Sequence, residues 1–86
     1  EENPYLSTSQ GRGSAHFLSY DQSTINIGVE TTEPALLFLS DNFYPGWKVK
    51  VNGQEGKIYR ADYTLRAVKV PAGESTVEFT YADWHL

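Results

Sequence analysis

The sequence predicts an all-β domain, an antiparallel β-sandwich of about seven strands. Short segments alternate between apolar and polar residues with a period of two, and turn signals recur about every eight to twelve residues. No 3.6-residue period persists long enough for a helix. We expect an immunoglobulin-like strand order, with a jelly-roll-like arrangement as the alternative, because the pattern of a single chain does not specify strand order.

The composition is that of one small globular unit. The chain has 86 residues, of which 40% are apolar and 14% aromatic, which is enough for a single core. We expect a single β-sandwich domain over residues 15–86. Residues 1–14 are polar, rich in glycine and without either period, so they predict a flexible N-terminal segment. Because the chain begins at Glu1 and contains no methionine, we expect it to be a piece of a longer protein.

The strands are predicted from the alternation and from the turns between them. In residues 47–51, two lysines alternate with Trp47, Val49 and Val51, which places the apolar side chains inwards. Asn52 and Gly53 then supply the positive φ angles of a two-residue type I′ turn. The run 35–39 is continuously apolar, as expected of a strand covered on both faces. The other strands are predicted over residues 15–20, 24–30, 56–60 and 63–70, and the last contains Val77, Phe79 and Tyr81.

One predicted strand, 63–70, is inconsistent in its phase. Leu65 and Ala67 alternate with Val68 and Val70 rather than sharing one face with them. A β-bulge, or burial of the strand on both faces, would reconcile the two sets of side chains.

Charge and residue types exclude several functions. The net charge is −4 and the seven Lys and Arg form no basic run, so we expect no nucleic-acid binding. No window approaches the roughly 18 apolar residues of a membrane span. There is no cysteine, which excludes thiolate metal sites. We expect neither a bound metal nor a cofactor.

Catalytic patterns are absent from the sequence. No serine has the Gly-x-Ser-x-Gly context of a hydrolase nucleophile. His16 and His85, the only two histidines, lie at opposite ends of the chain in different predicted elements, so neither supplies the other with an acid, base or ligand partner. A small glycosidase is a remaining alternative, and it requires Asp41, Asp62 or Glu55 to pair in a cleft. We therefore expect no enzymatic activity from this chain.

The aromatic segment 42–47 is the best candidate for recognition. Aromatic rings beside polar groups bind sugars or partner proteins, and nearby arginines add planar donors. The alternative is that Phe43 and Trp47 anchor a corner of the sandwich while Tyr44 caps it, which the small size of the core favours. The exposure of Trp47 distinguishes the two interpretations. The candidate ligand-binding residues are Phe43, Tyr44, Trp47, Arg60, Tyr63 and Arg66.

Five motifs in fixed order resemble one known family. They are Leu-Ser-Asp, two aromatics with Pro-Gly-Trp-Lys, a Val-Asn-Gly hairpin, Tyr-Arg-Ala-Asp-Tyr, and Val-Pro-x-Gly-x-x-x-Val-Glu-Phe-x-Tyr. Together they resemble the C-terminal extracytoplasmic domain of the bacterial membrane protein YfhO family. Asn52 departs from the pattern, in which Asp is common, and the final hydrophobic segment is missing after Leu86. The motifs lie at residues 39–41, 43–48, 51–53, 59–63 and 70–81.

The resemblance implies a fragment of a larger membrane protein. Members of the family look like multi-pass glycosyltransferases that use lipid-phosphate-linked sugars to decorate envelope polymers such as teichoic acids. The catalytic acids would lie in the membrane part, so none is assigned to this chain. The resemblance implies a location on the extracytoplasmic face of the bacterial cell membrane. Its partners would be the remainder of the parent protein and an envelope glycan or acceptor. A purely structural module that packs on the parent protein is the alternative.

Overall fold

The computed structural model describes residues 4–8, 11–21, 23–40, 46–60 and 65–81, without the side chains of Tyr5 and Ser40. All regular structure in these ranges is β-strand. The strands are β1 (Pro4–Ser7), β2 (Gly13–Tyr20), β3 (Thr24–Thr31), β4 (Ala35–Ser40), β5 (Trp47–Val51), β6 (Gln54–Glu55), β7 (Tyr59–Arg60), β8 (Leu65–Val70) and β9 (Gly73–Tyr81).

The strands form two antiparallel sheets that pack face to face. Sheet A has the order β1-β4-β8-β7, and sheet B has the order β2-β3-β9-β5-β6. The predicted antiparallel β-sandwich is therefore confirmed. The pairing is nested, since β3 pairs with β9 and β4 pairs with β8, which is typical of the jelly-roll-like alternative. The immunoglobulin-like order is not confirmed by this arrangement.

The core lies between the sheets and follows the predicted alternation. In β3 and β9, every second side chain is buried, and Ile27, Val77 and Phe79 are wholly inaccessible to solvent. Each such side chain contributes roughly 1.5–3 kcal/mol by leaving water. The buried cluster consists of Ile25, Ile27, Val29, Val49, Val77 and Phe79 from sheet B with Ala35, Leu37, Leu39, Val68 and Val70 from sheet A.

Sheet A differs from the prediction in its outer face. In β4, Leu37 and Leu39 are buried while Leu36 and Phe38 are only half-buried, so the strand is not fully covered on both sides. The inconsistent phase of β8 is explained by burial of this strand on both of its faces. The β4–β8 register runs without a shift, and Ala67 is 4% exposed on the outer face. It lies in register between Phe38 and Tyr59, so β8 is buried on both faces at this point.

Of the predicted strand 56–60, only Tyr59 and Arg60 form a strand, β7, which pairs with β8 in sheet A. The strand that returns from the turn to pair with β5 in sheet B is β6, which ends before Gly56. The chain crosses over at Gly56, where the backbone N–H donates to the Val49 carbonyl at 2.9 Å. A Cβ at Gly56 would lie 3.3 Å from Cγ1 of Val49, so the close approach at the crossing favours glycine.

Three local features bound the sandwich. Asn52 and Gly53 have φ angles of 53° and 82°, as the type I′ prediction requires. The turn after β2 is held by Asp21, whose Oδ1 accepts hydrogen bonds from the N–H groups of Ser23 and Thr24. The β2–β3 register shifts between Phe17 and Ser19, which is a bulge at the edge of sheet B.

The N-terminal segment takes part in both sheets. Residues 1–14, for which the sequence predicts flexibility, supply β1, which pairs with β4, and the first two residues of β2. The sequence shows no alternation over this short stretch, because an edge strand of four residues has too few positions to display a period.

Candidate functional site

The structure describes three of the six predicted binding residues. Trp47, Arg60 and Arg66 lie in β5, β7 and β8. Phe43, Tyr44 and Tyr63 lie outside the described residues, as do Asp41, Asp62 and His85. Ligand binding by this set stays a prediction.

The three described candidates lie at one end of the sandwich. Arg60 and Arg66 face each other across the β7–β8 ladder, and Arg66 is also in register with Leu39 near the end of β4. From β4 the chain continues through residues 41–46 to Trp47. The topology therefore brings Trp47, Arg60 and Arg66 to the same end, which we call the aromatic end.

Part of the Trp47 side chain packs against the core. It is half-buried against the core cluster, and its ring centroid lies 5.3 Å from that of Tyr81 at an interplanar angle of 41°. Gly46 has a φ of 113°, and a Cβ there would lie 3.2 Å from the Tyr81 ring. This close contact is what the anchoring interpretation expects of the corner, and it leaves a fraction of the Trp47 surface accessible.

The two arginines differ in accessibility. Arg66 is 8% exposed in the inward row of β8, and its Nη1 donates to the Leu65 carbonyl at 3.4 Å. Arg60 is exposed on the edge strand β7. Since a buried guanidinium requires hydrogen-bond partners within the protein, Arg60 is the better placed of the two to contact a ligand.

A first concavity lies on the outer face of sheet B, above Gly28. It has a volume of about 350 Å³. His16 and Leu18 pack over Gly28, where a Cβ would approach them to 3.1 and 3.2 Å. No group of three metal-binding side chains occurs in the described part of the chain. The lining residues are His16, Gly28, Val29, Glu30, Asn52, Glu74, Ser75 and Thr76.

A carboxylate pair on that face was not predicted from the sequence. Glu30 and Glu74 occupy directly opposite positions of the β3–β9 ladder, and both are exposed. Glu55, the described carboxylate of the glycosidase alternative, is also exposed and lies opposite Lys50. Glu30 and Glu74 line the first concavity together, whereas Glu55 pairs in register with a lysine and not with a second acid; glycosidase catalysis requires two carboxyl groups that flank a bound sugar.

A second groove lies between the β5–β6 hairpin and β8. Its volume is about 500 Å³. The ammonium groups of Lys57 and Lys69 lie 5.1 and 5.5 Å from the centroid of the Tyr59 ring. The sequence shows Lys57 and Tyr59 two residues apart, but only the β7–β8 register reveals Lys69 as their neighbour. The lining residues are Val51, Asn52, Gln54, Glu55, Gly56, Lys57, Tyr59, Lys69 and Pro71.

Comparison with known proteins identifies the family. Residues 8–86 match the family described as "Bacterial membrane protein YfhO". A protein named YfhO from Bacillus subtilis (strain 168) is 27% identical over 64 residues, which cover 74% of this chain and 7% of that protein. No solved structure matches. Among the residues that the structure describes, no helix has the length and apolarity needed to cross a membrane. The match over residues 8–86 shows that the chain belongs to the YfhO family of bacterial membrane proteins.

Proposed function

We propose that this β-sandwich is a non-catalytic accessory domain on the extracytoplasmic face of a multi-pass membrane protein, where it binds or presents an envelope glycan or acceptor. The observation that supports this most is the family match over residues 8–86. The chain spans only 7% of the length of its Bacillus relative, which is consistent with an accessory part of a much larger protein.

The aromatic end supplies the binding surface in this proposal. Trp47 offers the accessible fraction of an indole ring, and Arg60 offers an exposed guanidinium at the same end of the sandwich. Aromatic rings stack on the apolar faces of sugars, and a guanidinium donates to hydroxyl or carboxylate oxygens in a planar geometry. The remaining candidates, Phe43, Tyr44 and Tyr63, belong to segments that adjoin this end in the sequence.

The chemistry is assigned to the remainder of the parent protein in this proposal. A glycosyl transfer needs a general base that deprotonates the acceptor hydroxyl, or a nucleophile held against the donor sugar. In the described ranges Glu55, the candidate acid, is opposite a lysine rather than a second acid. We therefore expect the isolated chain to transfer or hydrolyse no sugar.

A titration of envelope polysaccharides against the chain tests the binding role. We expect saturable chemical-shift changes at Trp47 and Arg60, and about a fivefold weaker affinity for Arg60→Ala, which removes a charged donor. Trp47→Ala is the stronger perturbation, but it also removes packing against Tyr81. Lys48→Ala, in the same strand on the outer face of sheet B, is the matched control. Absence of any heat or shift change across the polysaccharides contradicts the proposal.

A structural role is the second candidate, and one observation favours it. Leu36 and Phe38 are half-buried apolar side chains on the outer face of sheet A, next to the exposed Tyr59 across the buried Ala67. Such side chains suit packing against another part of the parent protein. Replacement of Phe38 by Ser in the full parent protein should lower its stability but leave polysaccharide binding by the isolated chain unchanged, which separates this role from the first.

A further inference from the structure

The two outer faces of the sandwich differ in charge. On sheet B, acidic side chains are interspersed with Lys48 and Lys50. On the outer face of sheet A, the charged side chains of the described strands and of the adjoining residue 57 are Lys57 and Lys69. The chain as a whole has a net charge of −4, so this concentration of positive charge is local.

The two lysines converge on one ring. Tyr59 pairs with Ala67 across the β7–β8 ladder, which places Lys69 two residues along the neighbouring strand on the same face. Both ammonium nitrogens lie within 5.5 Å of the Tyr59 ring centroid. The ring attracts each cation through its quadrupole and so restrains both long side chains beside it. Tyr59 itself is 38% exposed.

Neither ammonium group is neutralised by an acid in the part of the chain that the structure describes. No ion pair involves Lys57 or Lys69 there. Among the described residues Glu55 is the one acid that lines the groove, and its register partner is Lys50 in the other strand of the hairpin. Two like charges held close together repel each other, and an anion between them relieves that repulsion while it gains two charge-assisted hydrogen bonds.

We propose that the groove beside the β5–β6 hairpin binds a phosphate group, held by Lys57 and Lys69 over the Tyr59 ring. Two ammonium groups act as adjacent point charges, which suits the several oxygens of a phosphate. The groove volume of about 500 Å³ accommodates the phosphate together with part of the molecule that carries it. This site lies on the outer face of sheet A, on the hairpin side of Arg60, and does not depend on glycan binding at the aromatic end.

Titration with inorganic phosphate at constant ionic strength tests the site, with chloride as the reference anion. We expect saturable amide-shift changes at Gly56, Lys57, Tyr59 and Lys69 with phosphate and none with chloride. Lys57→Gln and Lys69→Gln should each weaken the affinity about fivefold. Equal shifts in both salts, or an affinity unchanged in the double variant, overturn the proposal.

Two further variants test whether charge in the groove is the cause. Glu55→Gln removes the acid from the lining and should tighten phosphate binding about twofold to fivefold. Lys48→Gln removes an exposed lysine from the other sheet face and should leave the affinity unchanged. If Lys48→Gln weakens binding as much as Lys57→Gln does, the attraction is that of net charge alone and the site is refuted.

Vesicles distinguish the source of the phosphate. Vesicles of phosphatidylglycerol present it as a lipid headgroup, and vesicles of phosphatidylcholine serve as the reference. Sedimentation with the first kind that is lost in the Lys57→Gln/Lys69→Gln variant supports a headgroup ligand. Phosphate binding without sedimentation supports a soluble phosphate compound. Sedimentation that persists without both lysines contradicts a role for the groove.

Discussion

The outer faces of the two sheets have the same strand geometry but present different kinds of side chain. In β3, β5 and β9 of sheet B the outward side chains are polar and bear charges of both signs, as at Glu78 and Lys50, while the edge strand β2 adds the exposed Leu18. On sheet A the outward positions are Leu36, Phe38 and Ala67, bordered by lysines over Tyr59. The centre of the first face is typical of contact with water, whereas the second combines half-buried apolar side chains with two lysines that pair with no acid among the described residues. This difference teaches that the same strand geometry presents mixed charge on one face and apolar surface beside positive charge on the other.

The difference originates in the alternation of the strands. β9 alternates strictly, so its outward residues are hydrophilic, whereas β4 is apolar at five consecutive positions, residues 35–39. An antiparallel strand with water on one side gains nothing from apolar residues on that side. The apolar outward positions of β4 are therefore expected to serve a contact beyond this domain.

The largest expected effect follows from a substitution in the core between the two sheets. Phe79→Ala should destabilise the fold by about 3–5 kcal/mol, because Phe79 is wholly buried and the cavity cannot close completely. Amide exchange in β3 and β4 would measure whether both sheets lose protection together, as a two-state domain requires. Thr80→Ala, on the outer face beside it, should change stability by less than about 0.5 kcal/mol. Protection that persists in one sheet alone would show that the two sheets are independent units.

The next largest effect is expected at Asn52, which lines both the first concavity and the second groove. Its Oδ1 accepts from the Thr76 N–H at 2.9 Å, and its Nδ2 donates to Ser75 Oγ at 3.2 Å. Asn52→Ala loses both bonds and places alanine at a φ of 53°, so we expect a destabilisation of about 2 kcal/mol in urea unfolding.

Gly53→Ala is the control for the turn. It has a φ of 82° and no atom within 4 Å of an added Cβ, so only backbone strain of about 1 kcal/mol is expected. A larger loss for Gly53→Ala than for Asn52→Ala would show that the hydrogen bonds of Asn52 add nothing to the hairpin.

The smallest effect sharpens the contrast in charge. Glu30 faces Glu74, whereas Glu78 faces Lys50. Glu30→Lys should stabilise the fold by about 0.2–0.5 kcal/mol and Glu78→Lys should destabilise it by a similar amount, because cross-strand charge pairs reverse in sign. Thermal unfolding at low and high salt measures both, and the two effects should shrink together as salt screens them. Changes of the same sign in both variants contradict this account of the face.

The sequence predicts the sandwich well wherever one face of a strand is buried in the core and the other is exposed to water. The alternation of β3, β5 and β9 and the Asn52–Gly53 turn all emerge in the fold as predicted. The family motifs indicate a family and the absence of catalytic patterns argues against an enzyme, but neither specifies where side chains lie in the fold. Local pattern suffices in these segments because a period of two directly reports which side chains face the core.

Other features depend on pairing between distant parts of the chain. β1 is too short to show a period, and the crossing at Gly56 depends on its distance from Val49. The lysine pair over Tyr59 arises only when β7 pairs with β8. Of the predicted aromatic site, the sequence indicates the segment and the inward direction of Trp47, whereas the contact of its ring with Tyr81 follows from the β5–β9 register. Register, which one sequence does not reveal, decides these features.

The bulge in β2 has a consequence for the parent protein. β2 is a long strand at the open margin of sheet B, with Leu18 and Tyr20 exposed. A regular edge strand of this length presents unpaired N–H and C=O groups with which another chain can pair. Fibrils and intermolecular sheets begin with such pairing. The irregularity between Phe17 and Ser19 breaks that template. Copies of this domain at high local concentration would therefore resist pairing along this edge.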